Sequence, residues 1–132
     1  MAAGRPGIAA SDRVYTVGPM SCLFCQMVEK KVPAKVAYED DQVLAFHDIR
    51  PQAPVHVLVI PKRHITSLLD MTAGDDALVG SLVRRARELA REMGLGERGF
   101  RLVFNTGDDA GYSVYHIHLH LVGGRSLGWP PG

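Results

Sequence analysis

Apolar positions along the chain fall into blocks whose spacing switches between helical and alternating. Residues 1–19 (MAAGRPGIAASDRVYTVGP) mix Gly, Pro, Ala and Ser without a sustained period and read as a flexible tail, so the folded domain is placed at residues 20–132. From Cys22 to Lys30 the apolar residues Leu23, Phe24, Met27 and Val28 share one face of a short helix, which Pro33 stops. Lys35–Glu39 and Gln42–Asp48 predict two extended segments joined at Asp40-Asp41, a hairpin. Val55–Ile60 is apolar at nearly every position between Pro54 and Pro61, the pattern of a central strand buried on both faces, with His56 its one polar side chain. Thr72-Ala-Gly-Asp75 has the form of a capping box, and Leu78, Leu82, Ala86, Leu89 and Met93 follow at helical spacing with arginines opposite, predicting the longest helix. Phe100–Asn105 and Tyr115–Val122 predict two further strands, separated by the glycine-containing loop Thr106–Tyr112. One short helix, one long helix and about five strands on short connections predict an α+β domain with a five-stranded antiparallel sheet, because parallel pairing needs more crossover helices.

At 132 residues the chain fits one domain with one core. Hydrophobic residues at 46% and charged residues at 22% are ordinary globular proportions and argue against disorder. The formal net charge of +1 provides no field to hold a nucleic-acid polymer. No apolar run is long enough for a membrane span, and the first twenty residues lack the apolar core of a secretory signal, so a cytoplasmic location is expected. Cys22 and Cys25 are the only cysteines, and their spacing suits a metal or redox pair better than a disulfide scaffold.

The alternation in Tyr115-His-Ile-His-Leu-His-Leu-Val122 sends Tyr115, Ile117, Leu119 and Leu121 into a core and lines one surface with His116, His118 and His120. Such a row fits an ordinary polar face, a zinc site, or a phosphate site with a nucleophile. Zinc binds nitrogen at about 2 Å, whereas His116 and His120 stand about 13 Å apart on an extended strand, so two of the three suit one ion and all three do not. A neutral imidazole attacks phosphorus at neutral pH, and flanking donors hold the phosphate oxygens while charge develops.

Around this segment the chain reads Asn105-Thr-Gly, then Gly111-Tyr-Ser113-Val-Tyr-His116-Ile-His118-Leu-His120-Leu-Val. This resembles the histidine triad (HIT) family, whose signature is His-φ-His-φ-His-φ-φ with φ apolar. The resemblance extends over Ala45 to His64 (AFHDIRPQAPVHVLVIPKRH) and over Gly123-Gly-Arg through Trp129-Pro-Pro-Gly132, nearly everything after Ser21, and these segments look like the Hint-like nucleoside phosphoramidase branch. It implies a HIT-like fold and a hydrolase in which His118 forms a covalent nucleotidyl intermediate that water cleaves to a nucleoside 5′-monophosphate. It places His120 and Asn105 at the phosphate end and Ser113 beside the leaving group, with His56 and His116 supporting and orienting the site. Asp48 would accept the ribose hydroxyls, Phe24, Met27, Phe46, Ile49 and Leu58 would form an apolar slot for the base, and Val114 joins the nucleotide-binding set. Gly111 would bring the backbone close to the phosphate. Two positions depart from the branch: Arg50 stands where a small polar residue is common, and Tyr112 where Gln often precedes Ser113.

The same resemblance implies a purine nucleotide substrate, no cofactor required for catalysis, and a homodimer that pairs sheets across a two-fold axis and brings the Trp129-Pro-Pro-Gly tail near the partner's site. Some bacterial relatives with a pair such as Cys22-Leu-Phe-Cys25 hold structural zinc with two further histidines, here His64 and His116; two free thiols are the alternative. A dinucleoside polyphosphate hydrolase is the nearest rival activity, and a nucleotide-binding regulatory module with incidental hydrolysis is the rival of another class. A transferase is disfavoured because His120 stands where transferases usually have Gln. Gly94-Leu-Gly96-Glu-Arg-Gly99 has the spacing of a dinucleotide-binding fingerprint but follows a helix and precedes a strand, the reverse of the required context, and reads as a helix stop.

Overall fold

The computed structural model describes residues 22–132. The expected tail and the expected domain start at Met20 lie outside the described residues. Cys22, in extended conformation, caps helix α1 (Leu23–Val28) by accepting the Cys25 N–H on its sulfur at 3.3 Å. Strands β1 (Val36–Glu39) and β2 (Val43–His47) form the expected hairpin. Its turn is closed by Asp40, whose Oδ1 accepts the N–H groups of Gln42 and Val43 at 2.8 Å each. Strand β3 (Val55–Pro61), helix α2 (Asp76–Glu92), strand β4 (Phe100–Phe104) and strand β5 (Leu119–Gly123) follow. The five strands form one sheet in the order β1-β2-β3-β5-β4, every neighbouring pair antiparallel, as the α+β reading expects.

Period-two alternation divides this sheet into two working faces. Val43, Ala45, Val57, Val59, Leu119 and Leu121 pack against Leu82, Ala86, Leu89 and Ala90 of α2. Leu44, Phe46, Leu58 and Ile60 point the other way, toward Phe24 and the two cysteines. The first face is covered by a 17-residue helix and the second by a 6-residue one, which leaves the second more open among the described residues. The capping box is present at Thr72 and Asp75, one turn before α2, and Gly94 at φ +78° ends that helix, which confirms the helix-stop reading of the glycine motif.

The last strand is shorter than its sequence pattern. Continuing the β3–β5 register beyond the Val59–Leu119 pair would set Pro61 opposite Ile117, and proline has no N–H to donate to the ladder. Residues 115–118 therefore leave the sheet. The Ile117 N–H bonds to the Ile65 carbonyl at 2.7 Å, and the Pro61 carbonyl receives the ring of His116 at 2.8 Å. This corrects the expectation of three imidazoles on one strand face: His120 is on β5, His118 precedes it, and His116 is turned inward and fully buried.

Candidate functional site

On the α1 side of the sheet lies a cavity of about 400 Å³. Its apolar end is made by Leu23, Phe24 and Met27 of α1, by Pro33 and Ala34 of the following connection, and by Phe46 and Leu58 of the sheet. Its polar end is made by Asp48, Asn105, Ser113, His118 and His120, with Gly111, Val114 and the exposed Ile49 completing the wall. Every residue expected to bind the nucleotide lines this one cavity. Six further lining residues were not expected as site residues: Leu23, Pro33, Ala34, Lys35, His47 and Tyr112. A helix as short as α1 leaves its exit segment over the slot, which is the signal that would have added Pro33, Ala34 and Lys35. Gly111 has φ +78°, so it holds the left-handed turn that ends the Asp108–Ala110 helical turn and delivers Tyr112 and Ser113 to the cavity.

Hydrogen-bond partners assign the imidazole protons. His118 Nδ1 is 2.7 Å from the His116 carbonyl, which only accepts, so Nδ1 carries the proton and Nε2 keeps its lone pair. The Gln52 N–H donates to His56 Nδ1 at 3.0 Å, so the proton of His56 is on Nε2, 3.0 Å from His120 Nδ1 and 3.5 Å from Asp48 Oδ2. His120 therefore accepts at Nδ1 and carries its own proton on Nε2, ready to donate. Asp48 is itself held, its N–H on the His56 carbonyl at 2.9 Å and its Oδ1 on the Arg50 N–H at 2.8 Å. Burial pushes the His118 imidazole below its ordinary pKa, opposed by its bond to the His116 carbonyl. Burial, with His118 and His56 alongside, pushes His120 down to about 4. Both rings are thus neutral at pH 7.

His116 does not line the cavity. Its Nε2–H is given to Pro61, which frees Nδ1 to face Cys22 Sγ at 3.4 Å and Cys25 Sγ at 3.5 Å. His64 Nδ1 stands 3.3 Å from Cys25 Sγ. These four donor atoms lie within 4.8 Å of one another. A tetrahedral zinc ion with ordinary sulfur and nitrogen bonds needs donor separations of about 3.3–3.8 Å, and these three sulfur–nitrogen contacts fit. Burial raises the Cys25 thiol to about 12 and lowers His116 to about 4, so without a cation this pocket favours a neutral, protonated thiol and a neutral imidazole. Asp48, His56 and His120 also bring their donor atoms within 4.8 Å. There the Nδ1 lone pair of His56 is already committed to the Gln52 N–H and its Nε2–H faces His120, so that trio is a hydrogen-bond relay and not a metal cage.

An α+β sheet whose histidine-bearing segment borders a cavity of about 400 Å³ and also contributes to a Cys2His2 cluster defines the class of protein. The HIT domain family model matches residues 29–127, and the chain belongs to the HIT family. An uncharacterized HIT-like protein of Synechococcus elongatus is 52% identical over 110 residues, 83% of this chain and 96% of that one. The crystal structure of a HIT family hydrolase from Legionella pneumophila is similar at 52% identity and a TM-score of 0.83, covering 84% of this chain and 99% of that one. A zinc-bound histidine triad family protein from Mycobacterium smegmatis is 40% identical with a TM-score of 0.71, covering 87% and 82% of the two chains. Among the described residues, no helix is long and apolar enough to cross a membrane.

Proposed function

We propose that this protein hydrolyses the P–N bond of purine nucleoside 5′-phosphoramidates through a covalent nucleotidyl-His118 intermediate. The observation that carries the reading is the proton assignment at the cavity's polar end: an unprotonated Nε2 on His118 beside a protonated Nε2 on His120. In the first step the His118 Nε2 lone pair attacks the α-phosphorus and the P–N bond breaks. The amine leaves with a proton drawn from solvent through Ser113, and the resulting imidazolium keeps its Nδ1–H on the His116 carbonyl, which disperses the new charge. His120 and Asn105 donate to the phosphate oxygens as charge grows there. In the second step water attacks phosphorus, the bond to His118 breaks, and the proton released by water balances the one taken by the amine. Asp48 accepts the ribose hydroxyls, and Phe24, Met27, Phe46 and Leu58 enclose the purine.

Catalysis in this scheme needs no metal. Cys22, Cys25, His64 and His116 would hold a structural zinc ion that ties α1 to the segment leading into β5. The apolar edge strand β4, with Phe100, Leu102, Val103 and Phe104, supports the expected homodimer through sheet pairing across that edge.

The deciding experiment is hydrolysis of adenosine 5′-phosphoramidate by the native protein and by His118→Ala, each with and without chelator. Release of AMP by the native protein alone, at a rate chelator leaves unchanged, is expected. Equal activity in the variant would remove the nucleophile assignment, and activity in neither would favour a nucleotide-binding module.

A further inference from the structure

Tyr112 is the large buried side chain at the end of an otherwise exposed loop, residues 107–111, and no step of the proposed reaction uses it. Its ring lies nearly parallel to the His118 imidazole, 11° between planes and 5.4 Å between centroids. Its hydroxyl donates to the Thr66 carbonyl at 2.6 Å. One residue earlier along that strand of chain, the Ile65 carbonyl accepts the Ile117 N–H at 2.7 Å. Two bonds therefore lash the segment carrying His118 to the 65–66 segment, and one of them passes through the ring that lies against the imidazole.

We propose that Tyr112 is a positioning residue for His118, which it acts on through its ring face, and this rests on the nucleophilic role proposed for His118. The bond from His118 Nδ1 to the His116 carbonyl chooses the proton, but one hydrogen bond leaves the ring free to rock about its side-chain torsion. Rotation out of plane would drive an imidazole edge into the tyrosine face, while Phe24 meets the ring edge-on at 89° and 5.2 Å on another side. The imidazole is thereby held in one plane with Nε2 directed at the cavity. Because the hydroxyl is spent on Thr66, the cavity meets only the ring of Tyr112 and gains no donor from it. The residue's contribution is to geometry, and small losses of alignment at a reacting atom are costly in rate.

The test uses Tyr112→Leu, which removes the ring face, and Tyr112→Phe, which keeps it and removes the anchor. Each is measured for kcat and KM on adenosine 5′-phosphoramidate, and by 15N NMR of the histidine rings, with His118 assigned from the His118→Ala spectrum. The leucine variant is expected to lose about tenfold to a hundredfold in kcat with KM little changed. The phenylalanine variant recovers most of that, falling about twofold to tenfold below the native protein. The native His118 signals are those of a single Nδ1–H tautomer; in the leucine variant they broaden or average. Unchanged kcat in the leucine variant would overturn the proposal, as would a rate loss with His118 still in one sharp tautomer. If the leucine variant does not fold, Tyr112→Met, which fills the space without a planar ring face, takes its place under the same two readouts. Should the native protein leave the phosphoramidate intact, the proposed function falls, while the histidine spectra of the variants still judge the positioning role.

Discussion

At His118 a carbonyl that accepts and never donates settles which nitrogen is free, and at His56 a backbone N–H that donates settles the next ring in the relay. The arrangement places a lone pair and a proton side by side without a charge on either imidazole. Its consequence is visible in pH dependence. In the proposed reaction the attacking His118 must be neutral, and burial holds it below the ordinary imidazole range. His120 must keep Nδ1 free to accept from His56, and it is held down to about 4. A lowered pKa keeps the working forms present as pH falls through 6.5, so kcat/KM for the phosphoramidate should hold there and decline only at more acid values. A pH–rate profile with its acid midpoint at or above about 6.5 would contradict the neutral, buried assignment. The strand alternation alone shows three imidazoles in a row, and only the family resemblance gave them separate tasks. The proton assignment depends on Gln52 and on the carbonyl of His116, partners no side-chain pattern announces.

Among the elements, α1 is the least self-sufficient. Six residues are too few to persist as an isolated helix. What holds α1 is Phe24, edge-on to Phe46 at 5.3 Å, together with the two cysteines that face His64 and His116. Because the apolar end of the cavity includes Leu23, Phe24 and Met27 of this helix, its docking shapes the cavity as well as stabilising the fold. Purified protein is expected to carry about one zinc per chain, as a Cys2His2 site takes one ion. Chelation should then lower the thermal midpoint by about 5 °C or more, while hydrolysis at 25 °C is unchanged as long as the protein stays folded. Metal analysis with a thermal melt in each state checks both halves; protein free of metal whose melting chelator leaves unmoved would leave two thiols as the better description. The elements show where sequence patterning reaches its limit. Strands β1 to β4 and both helices follow from periodicity and punctuation, because each is decided by its own residues. The length of β5 is decided by Pro61 on a neighbouring strand, so the alternation of Tyr115 to Val122 overstates it. For the same reason the alternation shows His116 beside His118, and only the family resemblance pointed to the cysteines, where the fold sends it.

Across the whole molecule, the sheet assigns stability to one face and chemistry to the other. The α2 face is an unbroken apolar core. The opposite face carries the cavity, the relay and the cysteine cluster, and with them the buried imidazoles. Those rings make the fold acid-sensitive in a particular window. The unfolded chain takes up protons on histidine near 6.5, whereas His116 and His120 in the folded chain resist protonation down to about 4. For groups lowered on folding, stability is fully present above 6.5 and is lost as pH falls toward 4. Each such ring contributes a slope of about 1.4 kcal/mol per pH unit across that interval. The paired carboxylates of Glu39, Asp75 and Glu88 are also lowered, but by their cationic and hydrogen-bonding partners and from a lower starting range, so they govern only more acid conditions. Denaturant melts of metal-free protein between pH 7 and pH 4 should therefore show stability falling steadily through the imidazole window. Replacing His120 by Asn removes one titrating ring and should make that decline shallower by about 1.4 kcal/mol per pH unit. An equally steep decline in the variant would mean that His120 takes up its proton as readily in the folded protein as in the unfolded chain, and that burial does not keep it neutral.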